Sequence, residues 1–97
     1  MKVFDCNMIP LAFVQVKTSN TAQKLPERPP EATHAYIQSN GGATRWQDIG
    51  TPTGLSGHVL SDGNDLWFIG SMTGFRFIND DGESDHDLSI TYYKPSA

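Results

Sequence analysis

The chain of 97 residues has one cysteine, no run of lysine or arginine, and no long apolar stretch. Each absence removes a class of function. Cys6 alone excludes an intramolecular disulfide and any C-x-x-C redox or metal motif. Seven basic residues are spread singly along a chain of net charge −4, so the clustered cationic footprint of a nucleic-acid binder is missing and no nucleic-acid partner is expected. No segment approaches the roughly 18 apolar residues of a membrane-spanning helix. Asp5, Asn7 and Pro10 interrupt any apolar region near the start, so no secretory signal is expected, and folding in a reducing cytoplasm is. Helical periodicity, internal repeats and low-complexity tracts are missing too.

What the chain does have is a period of two. Runs rich in β-branched and aromatic residues recur at Thr33 to Ser39, Ala43 to Gln47, Gly57 to Leu60, Asp65 to Gly70, Gly74 to Asn79 and Asp87 to Tyr93. Turn formers such as Asn40-Gly41-Gly42 and Asp62-Gly63-Asn64 separate them. Short strands at this spacing predict a small all-β sandwich or barrel. Leu11 to Lys17 adds a strong strand and Thr21 to Leu25 a weak one. The expected fold is a single antiparallel β-sandwich of about eight strands over residues 11–97, with a jelly roll among the arrangements this allows. Residues 1–10 read as an N-terminal arm. Three prolines in Pro26-Glu27-Arg28-Pro29-Pro30 cannot sit in a strand ladder, which predicts a crossing loop between sheets. Two hairpins are expected: Thr33–Ser39 with Ala43–Gln47, and Gly57–Leu60 with Asp65–Gly70.

Alternation assigns faces. Leu88, Ile90 and Tyr92 share one face of the last strand. Phe75 and Phe77 point inward, and Arg76 and Ile78 outward. Leu66 and Phe68 oppose Trp67 and Ile69, so that run is apolar on both sides. Such a strand is either central or meets a partner with its outer face.

Candidate chemistry is sparse. Gly54-Leu55-Ser56-Gly57-His58 sets a serine near a histidine, but it lacks the last glycine of a nucleophile elbow and the strand-to-helix setting that motif needs. Asp80, Asp81, Glu83, Asp85 and Asp87 crowd one turn, yet the glycine falls in the wrong place for an EF-hand, and a solvated turn is the reading preferred over Ca²⁺ binding. His34, His58 and His86 lie on separate segments without metal-ligand spacing. No catalytic residue, metal site or cofactor is expected. The aromatics Tyr36, Trp67 and Tyr93 exceed what so small a core can hold, and a β-surface that carries them suits a protein interface or sugar stacking. Phe4 and Ile9 of the arm are expected to dock on a neighbour. The interface set is therefore Phe4, Ile9, Tyr36, Trp67 and Tyr93.

The segment from Tyr36 to Thr53, Tyr-Ile-Gln-Ser-Asn-Gly-Gly-Ala-Thr-Arg-Trp-Gln-Asp-Ile-Gly-Thr-Pro-Thr, resembles small virion proteins of tailed phages. The Phe75 to Ile78 and Leu88 to Tyr93 strands add to the likeness, which spans roughly Thr33 to Lys94. The resemblance implies a non-enzymatic structural protein that decorates or cements a capsid, or serves as a head or tail accessory. It implies assembly in the host cytoplasm, residence in the virion, and the major capsid protein or another virion protein as partner, with self-association on the particle. The alternative is a carbohydrate-binding module that uses Trp46, Trp67 and Tyr36 as stacking platforms.

Overall fold

The computed structural model describes residues 7–70 and 72–96. Its eight strands are β1 (Met8–Lys17), β2 (Gln23–Lys24), β3 (His34–Asn40), β4 (Thr44–Gln47), β5 (His58–Leu60), β6 (Asp65–Ile69), β7 (Arg76–Asn79) and β8 (Asp87–Pro95). They form two four-stranded antiparallel sheets: a front sheet in the order β1-β8-β3-β6 and a back sheet in the order β2-β7-β4-β5. Strands pair as 1 with 8, 2 with 7, 3 with 6 and 4 with 5, which is one long hairpin rolled on itself. This strand order is the jelly roll, a β-sandwich of two Greek keys.

The rolled topology overturns both expected hairpins. β3 and β4 lie in different sheets, as do β5 and β6. Their short connections arch over the core instead of closing a ladder. The reason is competition for edges: β3 is flanked by β8 and β6, and β4 by β7 and β5. Neither can accept its sequence neighbour. The β3–β4 arch is held from inside, where Ser39 Oγ donates to Gly42 O at 2.6 Å and meets Thr44 Oγ1 at 2.9 Å. The Pro26 to Glu31 segment does cross from back sheet to front, as its prolines require. The buried Tyr92 hydroxyl donates to Pro26 O at 2.6 Å and anchors that loop.

The core lies between the sheets. Ala35, Ile37, Phe68, Leu88, Ile90 and Tyr92 come from the front sheet and Leu60 and Phe77 from the back sheet, with Phe75 just before β7. Leu88, Ile90 and Tyr92 are all buried, as alternation requires. Ile78 departs from its expected outward exposure: it is only 9% accessible. The loop between β4 and β5 folds back beside it, tied by Asp81 N–H to Gly54 O at 2.9 Å and by Arg45 Nη1 to Gly57 O at 3.1 Å. β6 is an edge strand, not a central one, so its apolar outer side remains to be explained.

β1 begins at Met8, and Met8, Ile9 and Pro10 pair with Pro95, Lys94 and Tyr93. The register shifts between Pro10 and Ala12. Proline lacks the amide donor a regular ladder needs, and an edge strand with a bulge tolerates it. Phe4 and Cys6, and the rest of the arm before Asn7, lie outside the described residues.

Candidate functional site

The pairing register places whole rows of side chains on the outer face of the front sheet. One row runs Phe13, Thr91, Tyr36, Trp67. The next runs Pro10, Tyr93, His34, Ile69. Toward the other end the rows turn polar: Gln15, Ser89, Gln38, Asp65, then Lys17, Asp87, Asn40. Half of this face is therefore aromatic and apolar, and half is hydrophilic.

Trp67 is the hub of the apolar half. Its ring lies 5.1 Å from that of Tyr93 at 67°, 5.4 Å from His34 at 32°, and 6.3 Å from Tyr36 at 51°. Ile69, two residues along β6, is 64% exposed, and Phe13, at the far edge of the same face on β1, is 63% exposed. The Tyr36 hydroxyl donates to Asp65 Oδ2 at 2.6 Å. That bond, with partial burial and the nearby carboxylate charge adding to it, pushes the Tyr36 phenol up to about 12. Burial alone dominates at Tyr92, whose phenol is also pushed up to about 12. The hydrogen bond to Asp65 fixes the Tyr36 ring beside Trp67. Aromatic pairs at such separations add about 0.5–1.5 kcal/mol beyond their area burial. The patch is thus partly ordered before anything binds, which lowers the entropic cost of docking.

Three of the five expected interface residues are brought together: Tyr36, Trp67 and Tyr93. Ile9 is 38% exposed, but its register partner is Lys94, which alternates with Tyr93 onto the opposite side of β8. It does not belong to the aromatic cluster. The fold adds to this face Phe13, Ile69, Pro10 and His34, which were not in the expected interface set. Ile69 and His34 sit two residues from Trp67 and Tyr36, so period two could have found them. Phe13 could not be placed, because Leu11-Ala12-Phe13-Val14 is apolar at every position.

Trp46 is elsewhere. It stacks on Phe75 at 5.3 Å and 9°, meets the edge of Phe68 at 5.9 Å, and is capped by His58 at 4.7 Å. It packs against the core from the back sheet and shares no surface with Trp67 and Tyr36. A three-residue stacking platform from Trp46, Trp67 and Tyr36 is not what this fold builds.

The polar candidates are committed to structure. Ser56 closes the Thr53–Ser56 bridge, with Oγ 3.1 Å from Thr53 Oγ1, while the His58 ring lies on Trp46. Asp80 holds Arg45 Nε at 2.7 Å. Glu83 Oε1 accepts from Ala43 N–H at 2.9 Å, Asp85 from Asn79 Nδ2 at 2.8 Å, and Asp62 from Gly41 N–H at 2.8 Å. These carboxylates satisfy backbone and amide donors at turns that would otherwise be unpaired. His86 is buried, its Nδ1 2.7 Å from Ser84 O and its Nε2 2.8 Å from Thr44 Oγ1. A carbonyl only accepts, so Nδ1 donates its proton to Ser84 O. His34 lies beside Trp67, so the three histidines stay apart. Among the described residues no three His, Cys, Asp or Glu side chains converge to hold a metal ion. No family model, curated protein or solved structure matches the chain.

Proposed function

We propose that this protein is a non-enzymatic structural component of a tailed-phage virion, a capsid decoration or cement protein or a head or tail accessory. It docks on a virion protein through the aromatic half of the front sheet. The observation that carries the reading is the Trp67 cluster: Tyr36, Tyr93 and His34 around a tryptophan on an edge strand, with Ile69 exposed beside it and Phe13 exposed at the other edge of the same face. Tryptophan and tyrosine dominate the energetics of protein interfaces, each anchor contributing about 2 kcal/mol or more when truncated. The resemblance of Tyr36 to Thr53 to small virion proteins supports the same reading. Each copy buries a modest patch, and repetition on a symmetric lattice multiplies weak contacts into firm attachment.

Ring geometry favours this reading over sugar binding. Pyranose stacking asks for flat, accessible ring faces, whereas the rings around Trp67 are inclined to it by 32–67° and share no common plane. The test is co-sedimentation of the purified protein with phage particles assembled without it. Trp67→Ala with Tyr93→Ala should weaken binding at least tenfold while leaving the fold intact. Unchanged particle binding by that double variant, or saturable binding to glycans on an array, would overturn the proposal.

A further inference from the structure

Scattered in sequence, the cations are not scattered in space. Lys24 on β2 stands directly across from Arg76 on β7. Lys24 and Arg28 line the same surface cavity of about 270 Å³, together with Leu25, Met72 and Thr73. Arg76 borders it through Thr73, whose carbonyl accepts from Arg76 Nη1 at 3.0 Å, and itself lines an adjoining cavity with Asp48 and Thr51. Three of the chain's seven basic residues therefore meet at one corner of an acidic protein. Among the described residues the ion pairs are Lys17–Asp87 and Arg45–Asp80, so none of the three has a carboxylate partner. Glu27 and Glu31, in the adjoining loop, are exposed.

Like charges directly opposite on an antiparallel pair are destabilising. The fold keeps such a pair at Lys24 and Arg76 and sets a third cation beside it. A second feature marks the same corner. Glu27 has φ +50°, the one positive value among the described non-glycine residues. A side chain in the left-handed region costs free energy and persists only where surrounding structure enforces it. Here it turns the chain so that Arg28, its Nη1 3.3 Å from Pro29 O, borders the cavity. Buried Leu25 and Met72 form an apolar floor.

We propose that the Lys24–Arg28–Arg76 corner is a binding site for a tetrahedral, multiply charged oxyanion of the phosphate type. Two guanidinium groups and an ammonium group match the charge and the several acceptor oxygens of such an ion. The anion relieves the repulsion between Lys24 and Arg76, neither of which is in an ion pair among the described residues. The site lies apart from the Trp67 face and does not depend on it.

The test is a nuclear magnetic resonance titration of the labelled full chain with sodium phosphate, against sodium chloride at matched ionic strength. Saturable amide shifts are expected at Lys24, Leu25, Arg28, Thr73 and Arg76. Lys24→Gln and Arg76→Gln should each weaken binding at least fivefold, and Lys17→Gln, which removes a paired lysine elsewhere, should not. Phosphate should raise the melting temperature of the parent protein and leave that of Lys24→Gln/Arg76→Gln unmoved, since only a ligand bound to the native state stabilises it. O-phosphoserine serves as a second arm: tighter binding than inorganic phosphate assigns the site to a phosphate ester on a partner, and equal or weaker binding to the free ion. Shifts that fail to saturate, that chloride reproduces, or that survive both glutamine variants would overturn the proposal.

Discussion

Trp67 and Phe68 are adjacent in β6 and face opposite ways, so truncating each in turn measures the two sides of one strand. Phe68 is 4% exposed and meets Phe75 edge-on at 4.9 Å and Trp46 at 5.9 Å. Removing it opens a cavity between the sheets, and Phe68→Ala should cost about 3–5 kcal/mol. Trp67 is larger but packs on surface rings, over which solvent can relax. Trp67→Ala loses partial burial and three ring contacts, about 2 kcal/mol with each pair at the low end of its range. Native domains of this size hold about 5–15 kcal/mol in total, so the first change threatens the fold and the second does not. Urea unfolding is the assay. With a slope of about 2 kcal/mol per molar, the midpoint should fall by about 2 M for Phe68→Ala and about 1 M for Trp67→Ala. Trp46 remains as the fluorescent reporter in both variants, and its stack on Phe75 makes it sensitive to core loss. Equal midpoint shifts, or a larger one for Trp67→Ala, would falsify the assignment of Trp67 to an open face.

Thr44→Val keeps shape but strips the hydroxyl that meets both Ser39 and His86 inside the β3–β4 arch, and should lower stability by about 1–3 kcal/mol in the same assay. Two of the three tyrosines, Tyr36 and Tyr92, should ionise near pH 12 when absorbance at 295 nm is followed, and Asp65→Asn should bring Tyr36 back toward its ordinary value. Both phenols are raised above their unfolded value of about 10, so their contribution is fully present below pH 10 and is lost as pH rises toward 12. Alkaline titration should therefore lower the melting temperature across that window, less steeply in Tyr36→Phe.

Period-two alternation between turn residues was legible without coordinates, because a strand with one buried face must repeat every second residue. It placed six later strands within about two residues of their positions and oriented Leu88, Ile90 and Tyr92 correctly. It also singled out Tyr36, Trp67 and Tyr93 as more aromatic surface than the core could take. Pairing was not legible. Asn40-Gly41-Gly42 suits a hairpin and an arch equally well, and only the competition for the edges of β3 and β4 decides between them. Nor could sequence tell an edge strand from a central one in β6, because both are apolar on two sides when a partner covers the edge. Ile78 was misplaced for a related reason: the loop that covers it comes from more than twenty residues away. The Lys24–Arg28–Arg76 corner was hidden altogether, since its members are separated by up to 52 residues and meet only through the β2–β7 ladder. Local periodicity is a property of each segment by itself, whereas sheet membership and charge clustering depend on which segments the closed sandwich brings side by side.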